Sequence, residues 1–368
     1  MALIIDYRYY PFIGDIREIM SMRWPGLRLH DVVTSPESPV KKRIIEIVRM
    51  VASKTRIPSS RVDAEVEVIS FYGLLAAVKT MGDRRLAMKI AVSYSKHAWQ
   101  KLREEPLPVI AEIARLLGID VELVSNPPRI PVDVKKTTII YRFKPFSVSL
   151  IDYLKYSSRL SGDPKYALVN QLVKDGRVFL EKPIFVRILQ EAIYKRIMEI
   201  YDSILPDEEH YKPIVDEIMK VLQETGWLEK RALSIEIEST TTGVIDLEAF
   251  PPCMKMLLDR LVAGENLGHH ERFTLAAFMA RIGMDIETML GFFRHAPDFN
   301  EKIARYQLEH IAGLRGSRKK YMPYNCDTMK SYSLCPIQGY CEGGKNPLAI
   351  YKRNVWKKKK SQQKREKA

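Results

Sequence analysis

The chain has 368 residues, a formal net charge of +14 and 46% hydrophobic residues. That is long enough for two domains with real cores and too apolar for wholesale disorder. Scattered acids and bases at the N-terminus argue against a secretory leader, and no run is apolar for long enough to span a bilayer.

The first half predicts helices. "KKRIIEIVRMVASK", "SFYGLLAAVKTM", "RRLAMKIAVSYSKHAWQKL" and "PVIAEIARLLG" place apolar residues at helical spacing, punctuated by Pro58, Gly82-Asp83 and Pro106. "NPPRIPVD" (126–133) breaks the pattern, and "KKTTIIYRFK", β-branched and aromatic, predicts a strand or extended arm. "SLIDYLKYSSRL" returns to helical spacing, and "KDGRVFLEK" predicts a turn and a short strand. "PIFVRILQEAIYKRIMEIYDSI" follows as a long helix opened by Pro183, and "KPIVDEIMKVLQETG" as another stopped by Gly226. "SIEIESTTTGVIDLEAF" is polar and acidic and marks a linker. Beyond it four segments predict helices: "PPCMKMLLDRLVAG", "HHERFTLAAFMARIG", "DIETMLGFFRHA" and "FNEKIARYQLEHIAG". Residues 314–345 carry loop chemistry, and "WKKKKSQQKREKA" closes the chain as a low-complexity tail.

The charge is uneven. Residues 1–250 carry a formal +3, 251–352 +4 and 353–368 +7. A basic end suits a polyanion such as nucleic acid, although the last few residues alone would serve as a solubilising tail.

The four cysteines are Cys253, Cys326, Cys335 and Cys341. Disulfides are rare in the cytosol or nucleus, so a concentration of cysteine there signals metal or chemistry. Structural zinc sites present ligands as close pairs two to four residues apart. Here eight residues separate Cys326 from Cys335, five separate Cys335 from Cys341, and Cys253 stands alone upstream. The spacing favours a [4Fe–4S] cluster over zinc, and Cys335-Pro336 matches the end of one ferredoxin ligand run. Four inert, buried cysteines would explain neither the clustering nor the absence of cysteine elsewhere. With few apolar residues in 314–345, the metal is expected to supply much of that segment's order.

A helix starting near Gly268 would carry His269 and Arg272 on one face, with Arg281 further along on a similar side. Phe273, Leu275, Ala277 and Phe278 would supply its core face. Imidazole and guanidinium at a helix N-terminus suit phosphate. "LRGSRKKYMPY" adds Arg315, Arg318, Lys319 and Lys320 with tyrosines, a mixture that tracks a nucleic-acid backbone and stacks bases. Ordinary surface charge is the competing reading of both features.

"AFPPCMK", "HHERFTLAAFMARIG", "ARYQLEHIAG", "YMPYNC" and the last two cysteines resemble the C-terminal domain of the large subunit of archaeal and eukaryotic DNA primase. "IDYLKYSS" and the helix after "RVFLEK" resemble its N-terminal helical domain. The resemblance implies a [4Fe–4S] cluster on the four cysteines. It also implies a helical domain that docks the small catalytic subunit, and a C-terminal domain that binds the template–primer junction and the initiating nucleotide's 5′-triphosphate. It assigns the triphosphate helix to His269 and Arg272, with Arg281 at or beside a third basic position. Tyr306 and His310 match a Tyr-x-x-x-His pattern at the nucleic-acid site. The compact C-x8-C-x5-C run resembles archaeal members, whereas Asn266 and Gly268 replace a His and an Arg of eukaryotic ones.

The expected fold is mainly α. It comprises a helical domain 1–226 with a small β element, a linker 227–250, an all-α domain 251–352 clasped by the cluster, and a basic tail 353–368. The expected function is a regulatory, non-catalytic primase subunit, cytoplasmic if archaeal and nuclear if eukaryotic. Val178, Phe179 and Leu180 are the candidate exposed strand for the small subunit, a core strand being the other reading. Glu236 and Glu238, or Asp63, Glu65 and Glu67 alternating on a strand, could line up carboxylates for paired divalent ions. Solvated polar positions explain them better, and no phosphate-cradling glycine motif accompanies them. An iron–sulfur DNA-repair glycosylase or nuclease, or a zinc-stapled adaptor without a nucleic-acid role, are the alternatives.

Overall fold

The computed structural model describes residues 5–54, 56–58, 60–135, 138–160, 163–227, 245–316, 318–337, 341 and 344–365. The chain divides into two units, Met1–Trp227 and Leu228–Ala368, each with its own core.

In the first unit the apolar spacing becomes helices α1 (Ile16–Arg23), α2 (Leu29–Thr34), α3 (Pro39–Lys54), α4 (Ala64–Met81), α5 (Arg84–Leu102) and α6 (Leu107–Leu116). α4 is buried on nearly every side and ends at Gly82, whose φ of +68° is the left-handed conformation that glycine adopts without strain. Phe12, Ile44, Phe71, Leu74 and Tyr94 are fully buried in this core.

α4 begins earlier than the sequence pattern suggests. "VDAEVEV" is its first turn rather than a strand: Asp63 takes the N-cap position, and Glu65 and Glu67 follow. Glu67 is fully buried and paired with Arg43 of α3 at 2.8 Å. Arg43 also donates to Glu46 at 2.6 Å and to the Pro58 carbonyl at 2.9 Å, so both charges are satisfied inside the core. The acidic run is therefore structural.

Strands β1 (Val121–Leu123), β4 (Phe146–Ser149), β6 (Arg177–Leu180) and β5 (Leu172–Lys174) form one antiparallel sheet in that order. Asp175 and Gly176 both adopt positive φ and close the β5–β6 hairpin, as expected for "KDGRVFLEK". β2 (Arg129–Lys135) pairs with β3 (Thr138–Phe143) as a separate ribbon. β2 starts inside the proline-rich break. The register shifts after Pro131, and a two-stranded ribbon tolerates the missing N–H.

Helices α7 (Leu150–Ser157), α8 (Lys182–Ser203) and α9 (Glu208–Glu224) complete the unit. Val178 and Leu180 are fully buried on β6, so they form core rather than an exposed docking strand; Phe179 is half-buried. The exposed apolar side chains nearby are Ile151, Leu154, Val169 and Val173.

Residues 228–244, with Glu236 and Glu238, lie outside the described residues. The second unit contains α10 (Pro252–Val262), α11 (His269–Arg281), α12 (Ile286–Phe293), α13 (Glu301–Ile311), α14 (Cys326–Ser331) and α15 (Pro347–Arg365). Its core gathers Phe250, Met254, Leu257, Phe278, Met279, Leu290 and Phe292. Two elements depart from the sequence reading. α14 is a short helix inside the expected loop, and α15 runs through the expected tail boundary at 352. Ile350 and Tyr351 of α15 are buried, and Tyr351 meets Phe250 and Phe278 edge-on. Lys358 binds Asp246 and Glu248, so the first part of the basic tail is anchored to the domain.

Candidate functional site

The thiols come from two distant stretches. Prolines 251 and 252 start α10, since a helix's first N–H groups need no partner, and this places Cys253 in the first turn, buried. Asn325 caps α14 by accepting from the Thr328 N–H at 2.8 Å, which fixes Cys326 as the helix's first residue. Cys335 and Cys341 lie in the loop beyond and are half-buried. The Cys326 N–H donates to the Lys345 carbonyl at 3.0 Å, and its Sγ lies 3.7 Å from the Gly344 carbonyl. That loop is thereby tied to the start of α15.

Burial pushes the Cys253 thiol up to about 12, and Cys335, Cys326 and Cys341 add to the shift. Cys326 is raised by burial, then by Cys341 and Cys335. Cys253 and Cys326 therefore each feel the other cysteines as well as burial, and a bound cation would reverse that balance. The donor set is all thiolate, which suits zinc or an iron–sulfur group.

Helix α11 starts where the sequence places it. Gly268 is its N-cap, and the Glu271 carboxylate accepts from the Gly268 N–H. His269 is exposed at the first position. Its neighbour His270 shares a 2.7 Å hydrogen bond with the Tyr324 hydroxyl and stacks on Tyr332 with centroids 4.0 Å apart. Phe273 leaves the expected core face and joins Tyr324 and Tyr321 at 5.3 and 5.8 Å. Tyr321 meets His310 at 5.4 Å, and His310 stacks with Tyr306 at 6.3 Å. A continuous row of rings thus joins the start of α11, the approach to Cys326 and the exposed side of α13.

Basic groups flank this row. Arg315 lies 5.9 Å over the Tyr306 ring. Arg281 is exposed, but its guanidinium donates to the carbonyls of Tyr321 and Lys320 and so shapes the basic loop. Arg318, at φ +54°, and Lys319 are exposed on that loop. The structure therefore brings His269, Arg281, Tyr306, His310, Arg318 and Lys319 onto connected elements.

Arg272 is turned differently. Its Nε donates to the Leu267 carbonyl at 2.8 Å, and one terminal nitrogen reaches Asn266 at 2.6 Å and Asp298 at 2.7 Å. It braces the entry to α11. His270, Phe273, Tyr321, Tyr324 and Tyr332 do not stand out in the sequence as a connected group. Their only signal there is the density of tyrosine in "KKYMPYNCDTMKSYS".

The fold and site define a two-unit helical protein with a thiol clasp beside an aromatic and basic face. Residues 244–364 match the family model for the C-terminal domain of the eukaryotic and archaeal DNA primase large subunit. The DNA primase large subunit PriL of Methanococcoides burtonii is 29% identical over 97% of this chain and 94% of its own length. The PriL of Methanosarcina barkeri is 34% identical over 81% of this chain and 66% of its own length. The PriL of Halobacterium salinarum is 27% identical over 93% and 91%. The chain belongs to the large-subunit family of archaeal and eukaryotic DNA primase, in its archaeal form. It is a regulatory, non-catalytic subunit that partners a small catalytic one.

Proposed function

We propose that this subunit holds a [4Fe–4S] cluster on Cys253, Cys326, Cys335 and Cys341. Next to it, the subunit binds the template–primer junction and the 5′-triphosphate of the initiating nucleotide. The observation that carries this reading is that four buried or half-buried thiols from the two ends of a helical block act on one another, with the helix that begins with His269 lying between them in sequence. When bound, the cluster supplies a four-point cross-link between α10 and the α14 loop. The chain's own residues do the recognition. His269 sits at a helix N-terminus, where N–H groups and the dipole favour phosphate. The exposed Tyr306, with Arg315 over its ring, suits a stacked base, and Arg318 and Lys319 suit the backbone.

Placement in the cytoplasm accords with the archaeal relatives, and no helix among the described residues is long and apolar enough to cross a membrane. The relatives all carry the primase name, so the repair-enzyme and zinc-adaptor readings lack support.

The test has two arms. Anaerobically purified protein should be brown and carry about four irons per chain, falling sharply in Cys326→Ser. Adding the subunit to the small one should raise primer initiation, and His269→Ala should reduce initiation more than extension of a ready primer. Stoichiometric zinc without iron would overturn the cofactor; normal initiation by His269→Ala would overturn the triphosphate site.

A further inference from the structure

The first unit contains a second cluster of ligating side chains, remote in sequence from the cysteines. His30 lies on α2, Asp207 is the N-cap of α9, and His210 sits in the first turn of α9. One ligand atom from each lies within 4.8 Å of the others. The His30 and His210 rings stack with centroids 4.2 Å apart. His210 Nδ1 is 2.9 Å from Asp207 Oδ1. Two donors on one tetrahedral ion with bonds of about 2.0 Å stand about 3.3 Å apart, so this pair is already near that separation.

We infer that His30, Asp207 and His210 form a binding site for one divalent transition-metal ion, with zinc the best-suited occupant. Two imidazoles and one carboxylate make a nitrogen–oxygen donor set that suits zinc and is too poor in oxygen for magnesium or calcium. The surroundings support it at two points. Asp31 Oδ1 lies 3.4 Å from His30 Nε2, an acidic neighbour beside one of the ligating rings. The Asp207 N–H donates to Thr80 Oγ1 at 3.1 Å, anchoring the carboxylate's backbone to α4.

The His30 side chain is 16% exposed, Asp207 38% and His210 41%, so an ion reaches the cluster from solvent. α2 and α9 pack against each other, and a shared ion would pin one to the other. The site is structural in kind: it would stiffen the first unit.

The test compares the full-length chain with His210→Gln and with His30→Asn/His210→Gln, all carrying the same four thiols. Zinc alone is the probe. Wild type should bind one zinc per chain more than either variant by equilibrium dialysis. The first unit's unfolding midpoint should rise by roughly 5 °C or more in wild type at a hundredfold excess over Kd, and stay unchanged in the variants. X-ray absorption of the extra zinc should show only nitrogen and oxygen neighbours. Because His210 is exposed, the single variant keeps the test valid if the double one folds poorly. Equal zinc uptake and equal midpoint response in wild type and His210→Gln, or sulfur neighbours for the extra ion, would overturn the proposal.

Discussion

Arg272 is the residue on which the nucleotide-binding proposal is most exposed to refutation. Its guanidinium already serves Leu267, Asn266 and Asp298 through Nε and one terminal nitrogen. Only Nη1 lies outside these bonds, so Arg272 can give a phosphate one contact, not a bidentate clamp. A single charge-assisted hydrogen bond contributes about 1.5–3 kcal/mol, or roughly 10- to 150-fold in affinity. Arg272→Ala should therefore raise KM for the initiating nucleotide by roughly 10- to 150-fold while extension of a ready primer stays near wild type. The same substitution also removes the brace at the start of α11, and that effect must be separated. Asp298→Asn removes only the carboxylate partner, at 25% exposure a cost of about 1 kcal/mol or less, and leaves the Asn266 and Leu267 bonds in place. It should leave both initiation and extension near wild type. The assay is steady-state primer synthesis on a single-stranded template, with and without a preformed primer, using the two-subunit enzyme. If Asp298→Asn and Arg272→Ala depress initiation equally, or if Arg272→Ala depresses extension as much as initiation, Arg272 is a brace only and takes no direct part in phosphate binding.

The buried Arg43–Glu67 pair gives a stability prediction with an internal control. Glu67→Ala should cost about 3–5 kcal/mol in urea unfolding by removing the buried carboxylate and leaving Arg43 only Glu46 and the Pro58 carbonyl, whereas Glu224→Ala, which breaks the exposed Arg49 pair, should cost about 1 kcal/mol or less; equal costs would refute the assignment. His97 is held down at about 4, mainly by burial and then by Arg43 and Arg56. Between pH 6.5 and 4 only its unfolded form takes up a proton, so stability should fall with acidification by about 3 kcal/mol across that window and the loss should shrink in His97→Gln. A Cβ on Gly344 would stand 2.3 and 2.8 Å from Cγ1 and Cδ1 of the buried Ile350, so Gly344→Ala should destabilise the second unit by about 1–3 kcal/mol and lower iron per chain without touching a thiol. Unchanged iron content and melting would show that the α15 contact does not hold the clasp.

The long helices were legible because apolar periodicity and capping chemistry agree: Pro183, Gly264, Gly283 and Asp285 all stand at or beside a helix end. β1 and β4 were not legible, because three or four residues carry no period and pairing across distant sequence is set by tertiary contact. "VDAEVEV" suggested a strand because acids alternate, yet the partner that buries Glu67 lies on another helix and has no local signature. Val178 and Leu180 illustrate the same limit. An apolar strand reads alike whether it is a core strand or a docking edge, and only burial separates the two. The site divides likewise. Cysteine spacing and the start of α11 were readable, but the row of rings from Tyr332 to Tyr306 depends on three elements meeting in space.

The second unit's architecture bears on why a subunit that performs no catalysis would hold a thiol clasp at all. Among the described residues, segment 314–345 contributes few buried apolar side chains, chiefly Cys326, Met329 and Leu334, yet it carries Tyr321, Tyr324 and the basic loop. Such a segment has little burial with which to offset the entropy of its own ordering. Its other fixed points are polar: the Asn325 cap, the bonds from Cys326 to Lys345 and Gly344, and the Arg281 contacts to the loop carbonyls. The Cys326 bonds tie the segment to the start of α15 and the Arg281 contacts tie it to α11, both helices that line the apolar core. A cluster held across Cys253 and the loop would therefore order the binding face rather than the core. Its loss should impair junction binding and initiation before it unfolds the helices, so iron removal and Gly344→Ala should share one signature: weakened initiation in a subunit that retains its helical content.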